Sequence, residues 1–397
     1  MSDSRRVVDI QVMGAQISYR KGYRWAFNEY VGPSVLLVRL EDAGGIVGWG
    51  ELPISYHPVI PGEAVGAMVR SLAERLVANR IPAPRLFVAE ASSRTGWLWY
   101  RHLGASVMSG IEMALWDLLA KQQDAHVTSL LGGRIRDTME CMWFVFDGTP
   151  AEMNEATKVG AERGFRIYYV KWYGDDRDMF DKLEAVRESL PSGGLLRVDP
   201  NETWTRASAL RRLTVLERWP VEFVEQPLPR FDRDGIKEIR QRTTIAINSD
   251  QATRLIEEVL DAIRYDTMDT LTVSPTDAGG LARALDICAL TRAAGIPVGM
   301  HSNNELGVGL AAMVTVACLS ENCTYASQTE YPQLEWDITH GLRFDGPRLA
   351  PDWSRPGWGV EVDPVALAKA RANFDRGQAN QSPLDDPADE RQFIPGY

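Results

Sequence analysis

Ile167-Tyr168-Tyr169-Val170-Lys171-Trp172-Tyr173, an amphipathic stretch over 178–190, and Leu195-Leu196-Arg197-Val198-Asp199 read as one strand, one helix and a second strand. The same alternation continues on both sides. Short apolar runs stand at 141–146, 221–225, 245–249, 270–274, 297–301 and 324–328, with further helical patterns at 208–218 and 281–294. Strands alternating with helices mean βα units and a parallel sheet. Eight parallel strands in fewer than about 200 residues fit a TIM-type barrel, whose active site lies at the C-terminal ends of the strands. An open doubly wound sheet is the rival, but no GxGxxG or GxxxxGK[ST] follows the first strand.

Outside that region the chain changes character. The first third reads as α+β, with strands at 7–17, 34–40 and 46–51 around the turn Asp42-Ala43-Gly44-Gly45, then a helix whose stripe is Met108, Ile111, Leu115 and Leu118. The tail from Arg376 onward is polar and punctuated by proline, which predicts mobility. Four cysteines form no CxxC pair and are expected to be reduced thiols of a cytosolic protein. A formal charge of −11 disfavours nucleic acid and anionic membrane as partners. No run of 18 uncharged apolar residues is present, so no transmembrane helix is expected, and Ser4-Arg5-Arg6 lacks the apolar segment of an export signal.

Successive side chains of a strand point to opposite faces. Lys171 therefore shares the inner face with Tyr169, while Tyr168, Val170 and Trp172 point to the helical layer. By the same rule Arg197, Asp199 and Asn201 share a face, as do Phe223 and Glu225, and Asn248 and Asp250. Functional residues recur every 23 to 28 residues from Lys171 through Asp199, Glu225, Asn248 and Ser274 to His301, one per βα unit. Such a ring of oxygen donors would hold Mg²⁺, with Lys171 and His301 across it as proton carriers.

On these residues the chain resembles the enolase superfamily, in its mandelate racemase and glucarate dehydratase branches. The matching motifs are Val47-Gly48-Trp49-Gly50-Glu51, the helix from Ser109 to Asp117, Gly164-Phe165, Val198-Asp199-Pro200-Asn201, Val224-Glu225-Gln226-Pro227 and His301-Ser302-Asn303-Asn304. The resemblance implies a (β/α)7β modified TIM barrel with an α+β capping domain. The cap would take 1–135, the barrel 136–345, the return to the cap 346–375 and the tail 376–397. It also implies removal of the proton α to a carboxylate, through an enediolate stabilised by Mg²⁺. Asp199 and Glu225 match the first two metal ligands. Asn248 stands ahead of Asp250 as the third, with both open.

Two departures from the family pattern bear on the chemistry. Tyr169 replaces the first lysine of Lys-x-Lys, leaving Mg²⁺ and desolvation to lower the Lys171 pKa. Ser274 replaces the aspartate that orients the histidine, unless Asp277 reaches His301. Dehydration of an acid sugar or related hydroxy acid is therefore the expected reaction, with a racemase or epimerase, or a catalytically silent metal-binding scaffold, as alternatives. Tyr169, Asn201, Tyr23, Trp25, His57, Gln328 and Glu330 are the candidate substrate contacts. The expected partners are a small carboxylate and further copies of the chain.

Overall fold

The computed structural model describes residues 6–24, 29–54, 62–77, 80–94 and 100–377. Strands β1 (Val7–Gln16), β2 (Ser34–Asp42) and β3 (Val47–Pro53) form an antiparallel sheet in the order β1-β2-β3, as the sequence predicts. The central strand β2 is almost continuously apolar because both its faces are covered. Leu36, Val38 and Leu40 pack toward helices α1 (Gly62–Leu76), α2 (Pro84–Arg94) and α3 (Arg101–Gln122). Val35 and Leu37 join Phe144, Phe146, Tyr169 and Leu306. The sheet is thus one wall of the N-terminal core and a lid on the barrel strands. Gly48 and Gly50 of β3 make the close approach of α3 possible, since a Cβ on Gly50 would stand 1.9 Å from the Gly110 carbonyl oxygen. Helix α3 is long and apolar enough, by length and composition, to cross a membrane, but here it is packed inside the protein.

Seven parallel strands follow in sequential order: β4 (Trp143–Phe144), β5 (Ile167–Lys171), β6 (Leu195–Asp199), β7 (Val221–Glu225), β8 (Ala246–Ser249), β9 (Thr270–Val273) and β10 (Val298–Met300). Their helices are α4 (Pro150–Glu162), α5 (Asp176–Glu188), α6 (Arg206–Leu216), α7 (Arg233–Arg242), α8 (Ile256–Tyr265) and α9 (Leu281–Ala293), and α10 (Gly307–Leu319) follows β10. Local signals start these helices: Thr149 and Glu152 form a capping box with Pro150 at the first turn of α4, and Asp175 caps α5.

The eighth expected strand, 324–328, is not a regular strand. It makes one isolated parallel bridge, Cys141 to Ser327, and Cys323 just before it makes another to Val298. Its backbone still closes the ring: Met142 N donates to Ser327 O at 3.0 Å and Gln328 N to Met300 O at 2.9 Å. Part of its bonding is diverted to a side chain, because the Arg197 guanidinium donates to Ala326 O. Arg197 also pairs with Glu222 at 2.6 Å and stacks 4.4 Å from the Phe223 ring centre, filling the barrel interior below the level of Asp199.

Three buried carboxylates of the N-terminal region tie it to the rest. Glu51 accepts from Leu306 N (2.6 Å) and Gly309 N (2.9 Å) at the start of α10. Glu112 accepts from Leu281 N (2.8 Å) and Ala282 N (3.1 Å) at the start of α9. Asp117 accepts from Trp49 N (2.8 Å) and Trp358 N (3.0 Å), joining β3 to the C-terminal return. Neither α9 nor α10 has a cap from its own N-cap side chain; the N-terminal region meets orphan N–H groups of each, while Asp337 Oδ1 accepts from Gly307 N of α10 at 3.2 Å. Helix α11 (Pro364–Asp375) then lies along β1, with Asn373 donating to Gln16 O at 3.2 Å.

Candidate active site

The inward face of β5 carries Tyr169 and Lys171, as the period-2 reading requires, while Trp172 on the opposite face packs against Phe180 and Trp204. In register, Lys171 lies beside Asp199 of β6 and Glu225 of β7 beside Asn248 of β8. The Lys171 ammonium is 2.5 Å from Asp199 Oδ2 and 3.3 Å from the Tyr169 hydroxyl. Tyr169 lies between two acids, 2.5 Å from Asp199 Oδ2 and 3.0 Å from Glu225 Oε1. Burial and those two carboxylates push its pKa well up, so it is a neutral phenol and a donor.

Glu225 Oε2 accepts from Gln328 Nε2 at 2.8 Å, and Asn201 donates through N (2.7 Å) and Nδ2 (2.8 Å) to Asp199. Three of the expected substrate contacts, Tyr169, Asn201 and Gln328, therefore hydrogen-bond to the acids of the ring. Asp250, at the turn after β8, is positioned by Gln226, whose Oε1 accepts from Asp250 N and Ala252 N. Its Oδ1 is 3.6 Å from His301 Nε2. Asp277 Oδ2 is 3.8 Å from His301 Nδ1, while Ser274 is occupied as the N-cap of the short helix Pro275–Ala278. Glu330 accepts from Ser302 at 2.6 Å. Tyr23 pairs with Tyr30 in a short hairpin, and Trp25 and His57 lie outside the described residues.

The donor set fits a hard divalent cation. Atoms of Glu225, Asp250 and His301 lie within 4.8 Å of one another. Asp250 Oδ2 and Asn201 Oδ1 are buried without a hydrogen-bond partner, as is Asn248 Nδ2, whereas Asn248 Oδ1 has only Thr272 at 3.4 Å. Burial, reinforced by Asp199 and Asp250, drives the Glu225 carboxyl well above its ordinary pKa. Against the effect of burial, His301, Arg254, Lys171 and Arg230 hold Asp250 below its own. Burial would lower the Lys171 pKa, but Asp199, Glu225 and Asp250 outweigh it and raise the value. The raised pKa of Glu225 means that a proton stands where a cation would let the acid ionise, and carboxylate, amide and water oxygens are what Mg²⁺ takes.

Glu305 completes this end of the barrel and was not singled out by the sequence. Its Oε2 is 2.8 Å from Ser302 Oγ and its Oε1 accepts from Asn303 N at 2.8 Å, with burial pushing its pKa up to about 7. The available signal was a carboxylate directly between the polar run 301–304 and an apolar helix. Tyr19, in the N-terminal region, reaches the same loop and donates to Asn304 Oδ1 at 2.6 Å.

Residues 152–366 match the enolase C-terminal domain-like family, and residues 9–132 match the N-terminal domain of mandelate racemase and muconate lactonizing enzyme. A chloromuconate cycloisomerase from Cupriavidus pinatubonensis is 29% identical, over 86% of this chain and 93% of its own length. A probable glucarate dehydratase from Streptomyces coelicolor is 28% identical, over 84% of this chain and 83% of its own. Among solved structures, a putative sugar isomerase from Streptomyces coelicolor superimposes with a TM-score of 0.85 at 26% identity, covering 94% of this chain and 99% of that one. With both family domains matched in order along a seven-stranded parallel barrel sheet and its antiparallel cap, the chain belongs to the enolase superfamily, in the mandelate racemase and muconate lactonizing enzyme family.

Proposed function

We infer that this protein is a Mg²⁺-dependent enzyme that removes the proton α to a carboxylate, and that it dehydrates an acid sugar or related hydroxy acid. The observation that carries the reading is a buried cluster of Asp199, Glu225 and Asp250 with Lys171 at one end and His301 at the other. Asp199, Glu225 and Asp250 would hold the metal. Asp250 is preferred to Asn248 as the third ligand, because its buried Oδ2 is an unpartnered carboxylate oxygen whereas Asn248 Oδ1 accepts from Thr272. Bound Mg²⁺ would supply the charge that meets the second negative charge developing on the substrate, and would cancel the carboxylate field that keeps Lys171 protonated.

The residues of the chain then divide the work. Tyr169 and Asn201 hold Asp199 in place by donation, and Gln328 holds Glu225, whose own proton can serve its contact with the Tyr169 oxygen. Lys171 Nζ takes the α-proton. His301, across the cluster, returns a proton to the departing hydroxyl, so one base and one acid suffice for loss of water. The probable glucarate dehydratase among the relatives supports this reading.

An epimerase is the second reading, favoured by Asp277. His301 Nδ1 is buried without a hydrogen-bond partner and Asp277 Oδ2 is 3.8 Å away; if the two closed to bonding distance the ring would be oriented so that Nε2 can act as a base, giving a base on each side of the substrate. An L-Ala-D/L-Glu epimerase from Bacillus subtilis is 24% identical over 89% of this chain. The test is incubation with a library of hydroxy acids and acylamino acids in deuterated buffer with Mg²⁺. Loss of water with deuterium at the carbon that lost its hydroxyl supports dehydration, and deuterium at the α-carbon with inverted configuration supports epimerisation. An absence of both exchange and loss of water with every acid would refute proton abstraction as the function.

A further inference from the structure

Glu305 and Glu330 stand on loops after β10 and after the closing segment, with one hydroxyl between them. Ser302 Oγ is 2.8 Å from Glu305 Oε2 and 2.6 Å from Glu330 Oε2, and all three residues are buried. A serine hydroxyl has one proton and two lone pairs. It can donate to only one of the carboxyls, so the other short oxygen–oxygen contact needs a proton carried by the carboxyl itself. Two ionised carboxylates around one hydroxyl would leave two buried acceptors facing each other without a proton, a costly arrangement. The Ser302 lone pairs accommodate that carboxyl proton together with Asn304 N–H, at 3.2 Å.

The surroundings decide where the proton rests. Burial raises the Glu330 pKa as it does that of Glu305, but the Ser302 hydroxyl, Lys171 and His301 act on Glu330 to favour its anion. Glu305 has no such cation among the groups that act on it most strongly. It experiences the charge of Glu330, and it in turn raises the pKa values of Glu51 and of the Tyr19 phenol. We propose that Glu305 is a proton store for Glu330: its carboxyl donates to Ser302 Oγ, whose own proton is donated to Glu330. When the Glu330 carboxylate takes the Ser302 proton, Ser302 takes the proton of Glu305, leaving Glu330 neutral and Glu305 ionised. Glu330, on the Lys171 and His301 side, can then give that proton to a substrate oxygen. Glu305 is accordingly a positioning residue, acting only through Ser302.

The kinetic use of the relay rests on the proton-abstraction reading, but its existence does not. Infrared difference spectra of the full chain without substrate test it directly. The wild type should show a neutral-carboxyl band at pH 6 that is missing from Glu305→Gln, whereas in Glu330→Gln, where burial still acts on Glu305, the band should remain but weaken because the serine proton is free to turn to it. With the Glu305 pKa at about 7, this band should fade as pH rises above that value. Glu305→Gln can still donate to Ser302 but cannot pass a proton on, so turnover should fall more than α-proton exchange, yet less than in His301→Asn, which loses the acid that serves the leaving hydroxyl. Spectra of both variants matching the wild type at pH 6 would overturn the shared proton. An equal fall in exchange and turnover, or no fall in either, would overturn its use. Ser302→Ala, which removes the bridge and retains both acids, should give the same turnover loss if Glu305 acts through it.

Discussion

Replacing Glu112 with alanine tests whether the N-terminal region holds the barrel together through a helix cap. Glu112 is fully buried and accepts from Trp116 Nε1 at 2.7 Å as well as from Leu281 N and Ala282 N. At about 1 kcal/mol for each net hydrogen bond, with two backbone N–H groups then left orphaned in the interior, the variant should lose about 3–5 kcal/mol at pH 5. Burial raises the Glu112 pKa from its ordinary 4.5 to about 7 against the pull of its donors. A folded-state value above the unfolded one means stability that is fully present below pH 4.5 and lost as pH rises through 7. The alanine variant has no such dependence. At about 1.4 kcal/mol per pKa unit, wild type and variant should therefore converge by about 3 kcal/mol between pH 4.5 and 7. Urea unfolding followed by tryptophan fluorescence across that range measures the gap. A gap that widens as pH rises would show Glu112 to be an anion held by its three donors, and the argument from burial would be wrong.

Four further outcomes are expected. Gly50→Ala should cost at least about 2–3 kcal/mol, read as a lowered Tm, because its Cβ would meet the rigid backbone of α3 at 1.9 Å. Mg²⁺ should raise the Tm of the wild type, and Asp199→Ala or Glu225→Ala should abolish that rise; equal shifts in all three proteins would remove these residues from the metal site. Lys171→Ala should stop α-proton exchange, whereas His301→Asn should retain exchange and slow turnover by about 10²–10⁴; the opposite pattern would reverse base and acid. Asp277→Asn should weaken His301 as a base, so an epimerase would lose one direction of exchange far more than the other, while a dehydratase would retain its exchange at Lys171.

The barrel was legible because each βα unit repeats the same apolar run and amphipathic stretch, and α5, α6 and α9 start within two residues of the predicted positions. Period-2 alternation was enough to place Lys171 and Asp199 on one face, since a strand end allows few other orientations. It could not choose between Asn248 and Asp250, which share a face; that choice depends on how Gln226 turns the chain after β8. Nor could it show that 324–328 closes the ring by an isolated bridge, because the bonding of Arg197 to Ala326 O is a long-range contact. The motifs containing Glu51, Glu112 and Asp117 were recognised as a resemblance, but their physical role was not read. A carboxylate inside an apolar helix such as Ile111-Glu112-Met113 signals a buried acceptor, yet its donors lie about 170 residues away.

Those three carboxylates also limit how the chain could be shuffled. A barrel separated from the first 120 residues would bare the Leu281 and Ala282 N–H groups of α9, leave α10 with only its Asp337 acceptor and lose the anchor of the Trp358 turn, so it should not persist as an independent unit. Grafting a foreign N-terminal segment onto this barrel, to change what the loops admit, would work only if the donor brought acceptors at the positions of Glu51, Glu112 and Asp117. The two halves are therefore heritable as a pair.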